Sequence, residues 1–147
     1  MRNIEKFDER QLWIRGDIFK HGFILLMALI ILDSLNTDFS IICFEERYLV
    51  SFIMLMFAIM VVSIEMIIKG VYFSNDGQPK TIIYMMGLIS SILLIYNLYN
   101  VIFNSFTVIN GNTITITGEN ILLNLCLFAI FITYQIKSYI DKKEESL

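Results

Sequence analysis

The stretch Tyr48 to Ile68 reads Y-L-V-S-F-I-M-L-M-F-A-I-M-V-V-S-I-E-M-I-I and holds a single charged side chain, Glu65. A helix rises about 1.5 Å per residue, so this run is long enough to cross the roughly 30 Å of hydrocarbon in a bilayer. A helix lying on a water-soluble core would carry a polar face, and none can be drawn here. The stretch predicts a transmembrane helix.

Three further windows of comparable length flank it, approximately Ile18 to Leu35, Thr81 to Phe103 and Asn120 to Tyr139. The only proline, Pro79, falls in the loop before the third span, so no span carries an obligate kink. Over 147 residues the chain is 56% hydrophobic, with a mean hydropathy of +0.68. A water-soluble domain of this length could not hide so much apolar surface. The expected fold is an all-α integral membrane protein, a four-helix transmembrane bundle forming one membrane domain over residues 1–147.

Basic residues precede the apolar run Phe23 to Leu32, as in a secretory signal. No A-x-A-like cleavage site follows, and three more apolar stretches do, so the segment is expected to be a retained span. Neither Arg2 nor the closing Lys143-Glu144-Glu145-Ser146-Leu147 fits a lipidation signal.

Orientation follows from Lys and Arg, which are kept on cytoplasmic flanks and short loops. Arg2, Lys6, Arg10, Arg15 and Lys20 precede the first span; Lys69 and Lys80 lie in the second loop; Lys137, Lys142 and Lys143 close the chain. Ten of the 11 basic residues thus share one side of a four-span arrangement, and only Arg47 lies opposite. Both termini are expected in the cytoplasm and the protein in the cell membrane. Trp13, Tyr48, Tyr72, Tyr84, Tyr99 and Tyr139 sit near the expected boundaries, where aromatic anchors belong.

The segment Phe7 to Phe19 mixes charges with Leu12, Trp13, Ile14, Ile18 and Phe19 and runs straight into the first span. It reads either as a helical extension at the headgroup level or as a docking surface for a cytoplasmic partner, with Asp8, Glu9, Arg10 and Arg15 as candidate contacts. Between the third and fourth spans, Thr107 to Thr117 reads T-V-I-N-G-N-T-I-T-I-T, a β-rich alternation around Asn110-Gly111. This predicts a short external β-hairpin. So short a hairpin is marginal alone and must pack on the first outer loop or on a partner.

Charged and amide side chains within spans are costly, which makes them candidate sites. Asp33 falls near the outer end of the first span. Glu65 falls near the inner end of the second, four residues before Lys69 and on the same helical face. Asn97, Asn100 and Asn104 share one face of the third span, and Asn120 and Asn124 repeat the spacing in the fourth. Bonds between these amides would join helices, at about 1 kcal/mol each; the alternative is a ligand or cation site opening outward. Asp33, Asp38, Glu45, Glu46 and Glu119 face Arg47 alone on the expected outer side, a surface suited to cations or to nothing more specific than the exclusion of basic residues. Gly87 and Ser91 form a small-xxx-small pair in the third span.

Several function classes lack their residues. The single histidine, His21, rules out multi-histidine metal sites, and Cys43 and Cys126 read as small hydrophobes, not as a disulfide framework. No Walker loop, H-E-x-x-H or G-x-S-x-G motif occurs, and no cofactor is expected. No basic stripe suits nucleic acid.

The run Phe7-Asp8-Glu9-Arg10-Gln11, followed by Ile14-Arg15-Gly16 and a span, resembles a group of uncharacterised small membrane proteins of low-GC Gram-positive bacteria. Those proteins often carry a D-E-R-Q-like element before their first helix. The resemblance covers Asp8 to Lys20 and the span pattern; it implies a cytoplasmic-membrane location and no activity. The expected function is non-enzymatic and exercised through a protein partner or a homo-oligomer within the lipid bilayer, as an accessory, sensor or immunity-type subunit. A small oligomeric cation-coupled transporter using Asp33 or Glu65 is the alternative, and a purely structural membrane module the third.

Overall fold

The computed structural model describes residues 8–39, 42–72 and 81–144. Arg2, Lys6, Pro79, Lys80 and the side chain of Asp38 lie outside the described residues. Four helices, α1 (Glu9–Phe39), α2 (Arg47–Ile68), α3 (Thr81–Phe103) and α4 (Ile116–Glu144), are each long and apolar enough to cross a membrane. The strands β1 (Cys43–Phe44), β2 (Ile109–Asn110) and β3 (Thr113–Ile114) form a small sheet at one end. At about 1.5 Å per residue, α2 and α3 match a hydrocarbon layer, whereas α1 and α4 overrun it by several turns.

Local signals set the helix ends. Asp8 stands just before α1, and its backbone N–H donates to Gln11 Oε1 at 3.2 Å. That is one half of a capping box, so the D-E-R-Q run is a helix-start signal with a mechanism. At the other end of α2, Gly70 takes a φ of 68°. Its N–H donates to Ile67 O at 3.1 Å while Val71 N–H reaches back to Met66 O at 3.0 Å. This is the six-to-one and five-to-two bond pair that terminates a helix through a left-handed residue.

The helices pack in the lateral order α1, α2, α4, α3. Sequence neighbours α1 and α2 run antiparallel, as do α3 and α4, while α2 and α4 lie side by side and parallel. The central pair buries more of its apolar window, 22% and 28%, than α1 and α3 do, at 11% and 17%. The bundle therefore has α2 and α4 as its middle and the other two helices as flanks.

Two apolar clusters hold the end opposite the sheet. Ile67, Ile83, Ile130 and Tyr134 join α2, α3 and α4; Ile18, Met66 and Val71 join α1 to the exit of α2, and Tyr72 packs against both clusters. Tyr84 stands edge-on to Tyr134, ring centroids 5.8 Å apart at 89°. Glycines permit the closest approaches, since a Cβ at Gly22 would overlap Val62 Cγ2 and one at Gly87 would overlap the Phe131 ring.

Polarity is inverted relative to a water-facing bundle. Along α3 the buried residues are Ile83, Gly87 and Ser90, and Asn97 and Asn100 are half-buried, while Ile82, Leu88, Ile92, Ile95 and Ile102 face outward. Contiguous apolar surface on this scale exceeds what monomeric soluble proteins expose.

The hairpin lies in the expected segment with its turn displaced by one residue. Asn110 pairs with Thr113, so the central turn residues are Gly111 and Asn112, with Gly111 at a φ of 61°. A glycine in the first central position suits a two-residue turn of the II′ kind. The first interhelical loop supplies the packing a lone hairpin lacks, because β1 adds to β3 in parallel, Cys43 opposite Thr113 and Phe44 opposite Ile114.

These contacts predict opposite outcomes for two glycine substitutions in α1 and α3. Gly87→Ala should cost about 1–3 kcal/mol because the Phe131 ring must move. Gly16→Ala, where a Cβ meets nothing within 4 Å, should be neutral or stabilising by up to about 1 kcal/mol. Thermal unfolding of both variants in the same detergent measures the contrast.

Candidate functional site

The candidate side chains gather chiefly at the two ends of the bundle, the basic end and the sheet end. At the basic end α1 begins as a projecting helix. Asp8, Glu9, Arg10, Leu12, Trp13 and Phe19 are exposed, Trp13 at 71%, while Ile18 on the opposite side is wholly buried. Of the candidate contacts, Arg15 also braces the fold, since its Nη1 donates to Val71 O at 2.9 Å and ties the α2 exit to α1. Asp17 accepts from Lys20 at 2.9 Å, and this ammonium holds the Asp17 carboxyl below the usual carboxylate range.

One turn further, a carboxylate bridges the two helices. Glu65 Oε1 accepts from Lys69 Nζ at 2.6 Å, the pairing that the four-residue spacing implies. Both Glu65 oxygens also lie 3.3 Å from His21 Nδ1 on α1. In the sequence His21 stands out only as too solitary for a metal site; its role as the α1 partner of Glu65 required the packing of α1 on α2. No local spacing links residues 21 and 65.

At the sheet end the polar groups are more tightly woven. Asp33 lies 3.8 Å from Arg47 Nη2, and the same guanidinium donates to Thr37 Oγ1. Asn36 clasps Ile42, accepting from its N–H at 2.8 Å and donating to its carbonyl at 2.7 Å. Two carboxylates then cross between connections. Glu45 Oε2, before α2, accepts from the first N–H of α4, Ile116, at 2.9 Å. Glu119, in the first turn of α4, returns the exchange by accepting Glu46 N–H on Oε1 at 3.2 Å.

Each acid therefore satisfies a donor at the start of the other's helix, where the helix dipole also favours negative charge. Glu119 is fully buried, and its Oε2 has no hydrogen-bond partner among the described residues. By sequence, Glu119 counts only as a member of the outer acidic surface. The one available signal was its place in the first turn after Thr115, whose Oγ1 caps α4 by accepting Gly118 N–H at 3.3 Å.

The asparagines distribute differently from an interhelical amide network. Asn97 donates to Leu93 O and Asn124 to Asn120 O, each within its own helix, and Asn104, just past the end of α3, donates to Asn100 Oδ1. Asn97 and Asn100 are half-buried and Asn124 is buried, so these bonds keep amides satisfied along the inward faces. Asp33 and Glu65 stand at opposite ends and form no carboxylate pair. Among the described residues no group of three or more His, Cys, Asp or Glu side chains is arranged to hold a metal ion. Cys43 is exposed and Cys126 buried, both free.

No family model, curated protein or solved structure matches this chain.

The reciprocal capping makes a prediction at Glu119. Glu119→Ala leaves the half-buried Glu46 N–H without its acceptor and empties a buried site, and should cost about 1–3 kcal/mol, whereas Glu119→Gln keeps an acceptor oxygen and should cost less. Thermal unfolding in detergent, with amide hydrogen exchange at Glu46 and Arg47, reads the difference; equal losses for the two variants would show that the carboxylate's acceptor role is not what matters.

Proposed function

We propose that this chain is a four-span integral membrane protein with both termini on the cytoplasmic side, acting without catalysis by holding a protein partner. Support for the membrane setting comes from the outward apolar surfaces and from the distribution of Lys and Arg, ten of 11 on one side. In that setting the basic end is cytoplasmic and the sheet end external. Its resemblance to the small membrane proteins of low-GC Gram-positive bacteria rests on Asp8 to Lys20 and the span pattern.

The observation that carries the partner-binding reading is the projecting start of α1. Its exposed Trp13 and Leu12 stand beside Glu9 and Arg10 on a helix anchored by the Ile18 contacts and by the Arg15 bond to Val71, just beyond α2. Tryptophan and arginine are the side chains most enriched where binding energy concentrates. A shallow groove of about 470 Å³ runs along this face between Glu9 and Lys20. The acids that a cation-coupled carrier would use are already engaged, Asp33 with Arg47 and Glu65 with Lys69 and His21.

Crosslinking in the native membrane followed by mass spectrometry should recover a specific protein on the Asp8 to Phe19 segment. Trp13→Ala combined with neutralisation of Glu9 and Arg10 should lower its recovery by about tenfold, with helix content unchanged. Recovery of the chain alone, or of the partner undiminished, would refute partner binding through this surface. Cysteine labelling at both ends tests the orientation separately, since reaction of either end from outside intact cells contradicts it.

A further inference from the structure

At the tip of the sheet end, the Asn110-Gly111 peptide bond leads from β2 into the hairpin turn with reactive groups on both sides of it left open. The Gly111 N–H and the Asn110 side-chain amide make no hydrogen bond with the described residues. Both residues are exposed, and a Cβ built on Gly111 would meet nothing within 4 Å. Asn110 also borders an open hollow of about 500 Å³, which it shares with Thr113, Thr115 and Glu45. Water therefore reaches both groups.

An amide and the main-chain nitrogen that follows it are the two reactants of an intramolecular ring closure, the reaction that makes asparagine labile. The Gly111 nitrogen attacks Asn110 Cγ. A new N–Cγ bond forms, the Cγ–Nδ2 bond breaks, and the Gly111 proton leaves with the side-chain nitrogen as ammonia. Water then opens the cyclic imide. Addition at Cγ restores the original main chain and leaves an aspartate, whereas addition at the main-chain carbonyl leaves an isoaspartate whose backbone runs through Cγ. No electron is transferred, and one carboxylate is gained.

The fold confines this reaction to one position among the described asparagines. The nitrogens that follow Asn36, Asn97, Asn100, Asn120 and Asn124 lie within helices, where each is committed to a helical hydrogen bond. Asn104 and Asn112 precede Ser105 and Thr113, whose Cβ atoms crowd the attacking nitrogen, and the Asn104 amide is already given to Asn100. Glycine has no Cβ to hinder the approach. Moreover, β2 is a two-residue strand at the edge of the sheet, so Asn110 can leave its pairing with Thr113 at small cost and turn back on Gly111.

We propose that Asn110-Gly111 is a site of spontaneous covalent modification, which converts the neutral hairpin tip into an acidic one through a cyclic imide. The new carboxylate stands at the hollow that already holds Glu45. In the isoaspartate form an extra methylene lies opposite Thr113, lengthening one strand against its partner as a β-bulge does. Neither step requires a membrane or a partner, so the modification is independent of the function proposed above.

The purified full chain would be held folded in mild detergent, at mildly alkaline pH, in water enriched in heavy oxygen. Digestion and mass spectrometry with electron-based fragmentation would then map the acids formed and separate isoaspartate from aspartate. Residue 110 should take up the heavy oxygen in both forms, at least about tenfold faster than Asn104, Asn112 or any helical asparagine. Asn110→Gln, with its amide one methylene further from the Gly111 nitrogen, should remove the label from that peptide. The wild-type map is decisive by itself. An unchanged Asn110, label spread evenly over the asparagines, or aspartate without isoaspartate would overturn the proposal, as would label that persists in Asn110→Gln.

Discussion

One constraint recurs throughout this structure: the outward faces of the four helices are largely apolar, so polar side chains on the inward faces find their partners within their own helices or in the connections. Backbone groups meet that demand through the helices themselves. Side chains meet it locally, with Ser90 and Ser91 donating to Gly87 O and Thr133 to Ala129 O along their own helices. Such back-bonding lets small polar residues occupy inward positions without leaving unpaired donors. It also explains why α3 can turn Gly87, Ser90 and Asn97 inward, where a soluble bundle would place leucines.

The two ends solve the same problem by different chemistry. At the basic end the closure is dry: Val71, buried beside Met66 and Ile18, completes the α2 terminus, and Arg15 occupies its carbonyl. At the sheet end the closure is polar, built from strand pairing and from two carboxylates exchanged between connections. Because the central helices α2 and α4 are parallel, the exchange ties their N-termini together, while Ile67, Ile130 and Tyr134 join them near the other end. The flanking helices lack a second strong neighbour, which leaves α1 and α3 with the least buried apolar windows.

Legibility from sequence followed the range of the interactions concerned. The pairing of Glu65 with Lys69 is a four-residue relation and was visible at once; the His21 contact to the same carboxylate spans 44 residues and was not. The hairpin was visible from its alternation, but the turn moved from Asn110-Gly111 to Gly111-Asn112, because pairing with β1 and docking on α4 select a register that turn chemistry alone leaves open. Of Asn97, Asn100 and Asn104, expected on one face, the first two share the half-buried side of α3 and Asn104 is exposed beyond its end; spacing could not say whether their amides would bond across helices or along them. Glu119 was the largest omission. Its burial depends on a loop more than seventy residues away.

By itself the sequence determined the number and apolar character of the helices, the bounds of α2 and α3 to within a residue, and the presence of a hairpin, since each follows from hydropathy, rise per residue or the conformational preferences of adjacent residues. Only the tertiary structure decided that α2 and α4 form the centre, that β1 joins the hairpin, and that Arg15, His21 and Glu119 hold elements together. The physical reason is that a uniformly apolar helix surface offers little to distinguish one neighbour from another. Selection among neighbours fell to a few glycine contacts and buried polar groups whose partners lie far away along the chain.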